Sequence, residues 1–532
     1  MNHKVVERKS SMARVDLESF SKNENKNEKS ELTRRDFTIA GASALAAVSW
    51  PGAAFAAKAG GALPMSISEA GKRMRDGSLS CVDLTKAYFH YIELFQPKLN
   101  MFISQLKDMA LKTAAERDAE LKQGKDRGPL HGIPIVVKDL YDMAGTKTTV
   151  GSKAFVDRQS TEDATSVHHL LEAGVVVLGK TNMNEFAAGV SGTNAYFGDC
   201  HNPWALDRSP GGSSSGSGAA MAAGIGFGGT ASDTGGSIRV PASWCGIAGI
   251  RPTYGLVSLH GLFPRAYSLD CAGPLARNVF DLGLLLDAMA GFDPKDKHSA
   301  LAQRTASYTK GIKDGVKGMT FATVKNYTYK DVDKPVADAV AKAADKLKSL
   351  GAKIVEVEIK PLEGQLDYNK LFTNILLYEF NQILGEKYNN TPNAAELYGP
   401  IVTNNIAAGS KVSKEDYDKT MNERPAIIAE VKKVFDHVDA LLTPALPTTA
   451  PLLKASAQDY GRGRQFTIPF SYTALPSAVV PCGFDPQGLP IGLQIVGDHF
   501  SEAALLRMAY AYEQATDFHK KHPPIFAGTL PS

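Results

Sequence analysis

A glycine- and serine-rich stretch near the middle of the chain constrains its fold most strongly. Residues 209–241 read SPGGSSSGSGAAMAAGIGFGGTASDTGGSIRVP, and more than half of them are glycine or serine. Such a composition is typical of a flexible linker. The stretch also contains AAMAAGIGF, and ASWCGIAGI follows it, whereas a solvated linker has no use for Met, Ile, Phe and Trp at this density. We therefore predict closely packed backbone around a functional site.

The length, charge and potential ligands of the chain limit its class. A single hydrophobic core stops growing at about 250–300 residues, so 532 residues form either two domains or one large domain. The formal net charge of +3 indicates no nucleic-acid partner. The 12 histidines and 5 cysteines show no metal-ligand spacing, so we predict no metal and no other cofactor. An oxidising compartment would permit one disulfide, but the spacing nominates no pair.

The N-terminal segment predicts export. TRRDFTIAGASALAAVSWPGAAFAAKA places Arg34 and Arg35 ahead of a mildly apolar stretch that closes on Ala-Phe-Ala at 54–56. This pattern resembles a twin-arginine export signal, so we expect residues 1–56 to be a lead and signal peptide and the mature protein to be periplasmic. An uncleaved membrane anchor is the alternative, although the glycines, serines and Pro51 of this segment make it a poor bilayer span. We expect no stable membrane insertion.

The remaining chain predicts an α/β fold. Helical spacing over residues 67–96 leads to GIPIVVKDL, and the same order recurs in SVHHLLEAGVVVLGKT and in DKPVADAVAKAADKLKSLGAKIVEVEIK. From about 360 to 465 the pattern is helical and polar, and strands return in PSAVVPCGF and LPIGLQIVG. These last strands would have no core of their own in a separate domain. We therefore predict one domain, residues 57–532, with a helical insertion at about 360–465.

Two short patterns fit catalytic motifs of other proteins. GVVVLGKT, residues 174–181, fits the phosphate-loop pattern GxxxxGK[ST], but its three consecutive valines prefer an extended chain over a cradle of inward-facing amides. GSSSG, residues 212–216, fits GxSxG and would make Ser214 a nucleophile. That motif requires a strand directly before the serine, and NPWALDRSPG is not a strand. We assign neither function.

The DTGGSIR segment contains a candidate nucleophile. Gly235 and Gly236 precede Ser237, so the backbone can fold into a concavity of amide groups that would stabilise negative charge. No histidine lies nearby in sequence, and a lysine whose pKa is lowered by burial is one alternative base. Lys138 ends a stretch that is apolar on both strand faces, as in buried strands. A strand that ended earlier would leave Lys138 solvated.

Four segments together resemble the amidase signature family of serine hydrolases. They are HGIPIVVKD, NPWALDRSPGGSSSGS, ASDTGGSIRVPASWCGIAGIRPTYG and PFSYTALPSAVVPCGFDPQGLPIGLQIVG, and the resemblance runs from about residue 65 to the C-terminus. It implies an α/β fold with a large twisted mixed β-sheet, helices on both faces and a signature core at about 130–290. The helical insertion would then cover the active site, where Phe372, Leu376, Tyr378 and Phe380 either line the pocket or pack the core.

The same resemblance implies a Ser–cis-Ser–Lys triad. Ser237 matches the nucleophile, Ser213 the bridging serine held by a cis peptide bond, and Lys138 the base. The amides of the loop would form the oxyanion hole, namely those of Thr234, Gly235, Gly236 and Ser237. We expect hydrogen bonds of the flanking pair, Asp233 and Arg239, to brace this loop.

Three neighbouring serines and one aspartate have less specific assignments. Ser214, Ser215 and Ser217 stand where a helix begins, and the expected role of most of them is N-capping. Asp139 is either a partner of Lys138 or a strand-end residue.

These features predict an amidase that cleaves a carboxamide to a carboxylate and ammonia or an amine through a Ser237 acyl-enzyme. The expected partner is a small-molecule amide, and the expected state is a monomer or homodimer. An ester, carbamate or anilide hydrolase would use the same triad. Two further alternatives are the glutamine-hydrolysing subunit of a tRNA-dependent amidotransferase, which needs partner subunits and a cytoplasmic address, and a catalytically inactive binding protein.

Overall fold

A mixed β-sheet forms the centre of the molecule. The computed structural model describes residue 63 and residues 65–301 and 307–526, so the predicted signal at 1–56 lies outside the described residues. The described strands are β1 (Phe102–Gln105), β2 (Pro134–Lys138), β3 (Val176–Thr181), β4 (Gly228–Asp233), β5 (Ala248–Arg251), β6 (Cys271–Ala276), β7 (Thr320–Val324), β8 (Lys353–Val357), β9 (Ala440–Pro444), β10 (Ser477–Phe484) and β11 (Pro490–Val496).

The α-helices of the described residues flank this sheet or lie between its strands in sequence. They are α1 (Ile67–Arg75), α2 (Cys81–Leu99), α3 (Lys107–Lys122), α4 (Thr165–Glu172), α5 (Ser215–Ala222), α6 (Arg239–Cys245), α7 (Val279–Met289), α8 (Lys334–Ser349), α9 (Tyr368–Asn389), α10 (Ala394–Leu397), α11 (Pro400–Gly409), α12 (Lys414–Lys432), α13 (Ala457–Arg462), α14 (Ile468–Tyr472) and α15 (Glu502–Gln514). None of these helices is long and apolar enough to cross a bilayer.

The strands are joined in one sheet in the order β1-β3-β2-β4-β6-β5-β10-β11-β9-β7-β8. Pairing is parallel between β2 and both β3 and β4 and also between β7 and its neighbours β8 and β9, and it is antiparallel elsewhere. The late strands β10 and β11 therefore lie between β5 and β9 in the interior of the sheet. This arrangement confirms the predicted α/β class with a large mixed sheet.

Strand burial follows the apolar patterns in the sequence. Every residue of β2 and β3 is buried, as expected for strands that are apolar on both faces. Every residue of the edge strand β8 is partly or fully exposed. The pattern GVVVLGKT falls on β3 and the turn before it, so Lys180 lies within a strand and no phosphate-binding loop forms there.

The helices α9 to α12 lie between β8 and β9, within the predicted insertion at about 360–465. Strand β9 and helix α13 also fall in that range, so the sheet resumes before the predicted end of the insertion. Phe372 and Ile375 of α9 belong to a second apolar cluster, which also contains Phe470 and Tyr472 of α14. Apolar side chains of the insertion therefore pack it against α14. All five cysteines of the chain are buried free thiols, and none forms a disulfide.

Candidate active site

Lys138 is the last residue of β2 and is fully buried. Its Nζ donates to the Oγ atoms of Ser213 at 2.8 Å, Ser214 at 2.9 Å and Ser232 at 2.9 Å. Burial lowers the pKa of Lys138 to about 7, against the opposing effect of the carboxylates of Asp233 and Asp270. The alternative of a solvated lysine is therefore wrong, and a large neutral fraction is available near pH 7.

The serines after the glycine pair contact Lys138 or the core. The peptide bond between Gly212 and Ser213 is cis, at the position for which the family resemblance implies it. Ser214 precedes α5, but it forms no side-chain cap. The hydroxyls of Ser215 and Ser217 donate to backbone carbonyl groups of the loop after β3 and of β4. The expectation that most of these serines cap the helix is wrong, because Ser215 and Ser217 lie within α5 and the hydroxyl of Ser214, at the N-cap position, accepts from Lys138.

The structure also explains why Ser214 is not at a nucleophile elbow. No strand of the described chain lies between β3 and α5, so the sharp strand-to-helix turn of a GxSxG site is missing. The hydroxyl of Ser214 instead accepts from Lys138 inside the core.

Ser237 lies in the loop between β4 and α6, and its exposed fraction is 5%. It lines a cavity of about 410 Å³ together with Thr234 and Gly235. Among the described residues, no hydrogen bond joins the hydroxyls of Ser237 and Ser213. The structure therefore brings Lys138 and Ser213 into contact and places Ser237 at the cavity wall.

The loop that carries Ser237 is organised around the carboxylate of Asp233. This carboxylate accepts from the amides of Gly236 at 2.7 Å and Ile238 at 3.2 Å and from Arg239 Nε at 3.0 Å. Arg251 adds a second buried ion pair at 3.2 Å. Burial raises the pKa of Asp233, but the two guanidinium groups outweigh burial and hold the pKa well below its usual range. Asp233 therefore stays ionised and holds the loop in shape.

The contact with Asp233 changes one part of the expected oxyanion hole. The Gly236 amide, expected to line the oxyanion hole, instead donates to Asp233 Oδ1 and is therefore not free to bind an oxyanion. A glycine is nevertheless needed there, since its φ is +128° and a Cβ would lie 2.7 Å from Thr467 Oγ1. A Cβ on Gly235 would lie 2.6 Å from Phe372 Cζ, so this glycine lets the insertion approach the loop.

The four side chains predicted at the insertion divide between pocket and core. Phe372 and Leu376 line the cavity that contains Ser237. Tyr378 lines an adjoining cavity of about 790 Å³, which shares Thr234 with the first. Phe380 is fully buried in the main apolar core.

Asp139 does not pair with Lys138. Its carboxylate accepts from Thr149 and lies 3.6 Å from Lys180 Nζ, on the neighbouring strand β3. Burial raises the pKa of Asp139, while Lys180 opposes that effect. The possible pairing of Asp139 with Lys138 is therefore wrong, because consecutive residues of a strand point to opposite faces of the sheet.

Sequence reasoning missed several polar residues near this site. Ser232 contacts Lys138, Asp270 accepts from Thr234 Oγ1 at 2.6 Å, and Arg265 lines both cavities. Alternation along β4 could have indicated Ser232, which stands two residues after Thr230, the residue whose hydroxyl accepts from the Lys138 amide. Asp270 and Arg265 carry no local signal.

The chain belongs to the amidase family, whose model, described as Amidase, matches residues 83–506. The family indicates a hydrolase that acts on C–N bonds. A relative from Gloeobacter violaceus, described as a subunit of glutamyl-tRNA(Gln) amidotransferase, is 37% identical over 486 residues, covering 87% of this chain and 99% of the relative.

Solved structures show the same fold. The native peptide amidase from Stenotrophomonas maltophilia matches with a TM-score of 0.77 and 32% identity over 86% of this chain and 98% of that one. A second solved structure matches with a TM-score of 0.79 and 30% identity over 85% of this chain and 98% of that one. It is described as an unexpected vestigial protein complex that reveals the evolutionary origins of an s-triazine catabolic enzyme.

Proposed function

We propose that this protein is an amidase that hydrolyses a carboxamide through an acyl-enzyme on Ser237. One observation carries the proposal: a fully buried lysine donates to Ser213 Oγ at 2.8 Å and to Ser232, which lines the cavity adjoining the one that contains Ser237. A lysine with a lowered pKa is a competent general base for a serine hydroxyl. The glycine loop around Ser237 supplies amide groups at the same wall.

The reaction then proceeds in two halves. Neutral Lys138 takes the Ser213 proton as Ser213 takes that of Ser237, and Ser237 Oγ attacks the amide carbon. The C–N bond breaks as the proton returns through Ser213 to the departing nitrogen, which leaves as ammonia or an amine. Water then attacks the ester, giving the carboxylate and free Ser237. Contacts between catalytic groups often tighten only when substrate binds, as the Ser213–Ser237 contact must here.

The oxyanion would be stabilised by the amides of Thr234, Gly235 and Ser237. The Gly236 amide is not among these donors, because it already donates to the Asp233 carboxylate. Loss of one donor in such a hole typically lowers kcat by about 100- to 1000-fold.

Substitution of the triad tests the proposal. We expect Ser237→Ala to lower turnover by roughly 10⁴- to 10⁶-fold and Lys138→Ala to approach this loss, because the nucleophile and its base act as a unit. Ser166→Ala is the matched control, since Ser166 is a buried serine of α4 that lines neither cavity and whose hydroxyl has no hydrogen-bond partner among the described residues. Retention of most activity by Ser237→Ala or Lys138→Ala would exclude this triad.

A covalent probe identifies the nucleophile independently of substrate choice. An acylating ester- or carbamate-type inhibitor should add one acyl group, and peptide mapping should place it on Ser237 in the wild type but not in Lys138→Ala. An adduct on Ser214 would contradict the assignment. Turnover of matched amide, ester, carbamate and anilide substrates then separates an amidase from the alternatives that use the same acyl-enzyme.

A second candidate function follows from the curated relatives. Because the Gloeobacter violaceus relative is described as a subunit of glutamyl-tRNA(Gln) amidotransferase, this chain is also a candidate glutamine-hydrolysing subunit. That role requires partner subunits and the cytoplasm, whereas Arg34 and Arg35 favour export to the periplasm. Cell fractionation followed by size analysis decides between them: recovery from the periplasm as a monomer or homodimer supports the amidase, and a cytoplasmic complex with tRNA-dependent activity supports the second function.

A further inference from the structure

We propose that Arg265 recognises a carboxylate on the substrate, so that the preferred amide is an anionic one. This inference rests on the proposed amidase function and names the substrate class of that same site. It follows from the environment of one buried guanidinium group.

Arg265 is buried, with 4% of its surface exposed, yet its Nη1 has no hydrogen-bond partner among the described residues. The guanidinium carbon lies 3.6 Å from the ring centroid of Phe380, and this cation–π contact holds the group in place. Burial lowers the pKa of Arg265 to about 9, against the attraction of Asp270, so the group remains a cation near pH 7. A buried, oriented and unpaired cation is costly unless an anion joins it.

The nearby carboxylates are already engaged by other groups. Asp270 accepts from Thr234 Oγ1 and from the backbone amides of Arg265 and Ala266. Glu379 accepts from Ser268 and from the Tyr417 hydroxyl at 2.8 Å. Among the described residues, neither carboxylate forms an ion pair with the guanidinium of Arg265. The buried Nη1 of Arg265 therefore lacks an acceptor for which a ligand carboxylate would be the missing partner.

Arg265 also stands at the right place for substrate recognition. It lines the cavity of about 410 Å³ that contains Ser237, and it lines the adjoining cavity as well. Arg464 is a second cation on the wall of the Ser237 cavity, and no Asp or Glu is among the described residues of that wall. Phe372, Leu376 and Ile401 make much of the remaining wall apolar. This combination suits an amide with an apolar body and a carboxylate.

The same charge pattern disfavours free glutamine as the substrate. The α-ammonium group of glutamine requires an acceptor, preferably a carboxylate, and the two arginines of the Ser237 cavity would repel it. Asp270 and Glu379 line the adjoining cavity, and both already accept hydrogen bonds from the protein. A carboxylate-bearing amide that lacks a free amine meets no such conflict. Arginine can bind it with two parallel hydrogen bonds.

Matched substrate pairs test the recognition of the carboxylate. Succinamate and 4-oxopentanamide differ only by a carboxylate and a methyl ketone, as do 4-carbamoylbenzoate and 4-acetylbenzamide. Hippurate and N-(2-oxopropyl)benzamide make the same comparison on the departing amine. In at least one pair the wild type should prefer the acid in kcat/KM, and the pair shows which side of the scissile bond carries the carboxylate. A preference for the neutral member in every pair would overturn the proposal.

Substitution of Arg265 assigns that preference to one side chain. We expect Arg265→Met to lower the acid-to-ketone ratio of kcat/KM by roughly 10- to 100-fold, as for lost hydrogen bonds to a charged group, and Arg265→Lys to lower it less. Arg462→Met is the control, because Arg462 lies outside the Ser237 cavity and pairs with Asp333 at the surface. An unchanged ratio in Arg265→Met would overturn the proposal.

A binding measurement separates this inference from the proposed catalysis. In the Ser237→Ala background, the acid of the preferred pair should raise the melting temperature, and adding Arg265→Met should remove that shift. This readout needs no turnover, so it tests Arg265 even if Ser237 is not the nucleophile. If no member of a pair is turned over, the three acids serve as the binding probes. An equal shift with and without Arg265 would contradict carboxylate recognition.

Protein stability distinguishes recognition from a structural role. Without added acid, Arg265→Met should unfold at the same temperature as the wild type or higher, because it removes a buried charge without a partner. A marked loss of stability would mean that Arg265 supports the fold, and the proposal would fail.

Discussion

At the scale of the residue, Lys138 shows how burial converts an ordinary lysine into a base. Its ammonium group is removed from water, and three serine hydroxyls take the place of water without supplying a full counter-charge. The charged form is therefore penalised and the neutral form becomes accessible near pH 7. Asp233 is equally buried but remains charged, because its ion pairs with Arg239 and Arg251 keep its pKa low.

The lowered pKa of Lys138 predicts how activity depends on pH. We expect kcat/KM to rise with pH through a midpoint near 7 and then to level, because only neutral Lys138 can accept the proton. A pH–rate profile with a neutral substrate measures this. A midpoint near the ordinary lysine value of 10.5 would contradict the assignment.

The same shift predicts how stability depends on pH. Between about pH 7 and 10.5 the unfolded chain binds the lysine proton and the folded chain does not, so the free energy of unfolding rises with pH across this window. Below about pH 7 the folded protein bears the full cost of a charged buried lysine. In urea unfolding measured between about pH 7 and 10.5, the free energy of unfolding of Lys138→Met should rise less with pH than that of the wild type. An equal pH dependence in both proteins would be inconsistent with the shift.

At the scale of the element, small residues allow α5 to lie against backbone. A Cβ on Gly216 would lie 2.5 Å from the amide nitrogen of Asn182 and would also meet the carbonyl of Met101. A Cβ on Gly218 would lie 2.7 Å from Pro241 Cβ of α6. The glycines that suggested a linker thus serve close packing, which holds Ser213 and Ser214 against Lys138.

Substitution of Gly216 tests this packing. We expect Gly216→Ala to lower the free energy of unfolding by about 1–3 kcal/mol, because backbone atoms cannot move aside as a flexible side chain would. Gly461→Ala is the control: no atom lies within 4 Å of its Cβ position, and alanine in a helix should gain about 0.5–1 kcal/mol. Urea unfolding of both variants provides the comparison. Equal effects would contradict the packing argument.

At the scale of the whole molecule, one polar cluster joins distant parts of the chain. Arg239 pairs with Asp233 and also donates to Gln494 of β11 and Ser471 of α14, at 3.0 and 2.7 Å. Arg251 of β5 contacts Asp233 from the other side. The nucleophile loop is therefore held to the C-terminal strands, which lie in the interior of the sheet.

Breaking this cluster should affect the whole fold. We expect Asp233→Asn to destabilise the protein by about 3–5 kcal/mol, because two buried arginines lose their counter-charge. Asp338→Asn removes the partner of the exposed Lys334 and should change stability by less than about 1 kcal/mol. Thermal or urea unfolding measures both. A small effect at Asp233 would mean that the arginines find other partners.

The sequence by itself determined the order of helices and strands, the buried character of β2 and β3, and the serines and lysine of the proposed triad. The elements and their burial depend on periodicity and composition within short segments, whereas the triad residues follow from the resemblance of four segments to the amidase signature family. The tertiary structure alone decided that Lys180 pairs with Asp139 and that the Gly236 amide donates to Asp233. It also decided that Arg265, on the wall of the Ser237 cavity, has an Nη1 without a hydrogen-bond partner among the described residues. Such pairings depend on which strands become neighbours and which face each side chain takes. Both are set by packing of segments far apart in sequence.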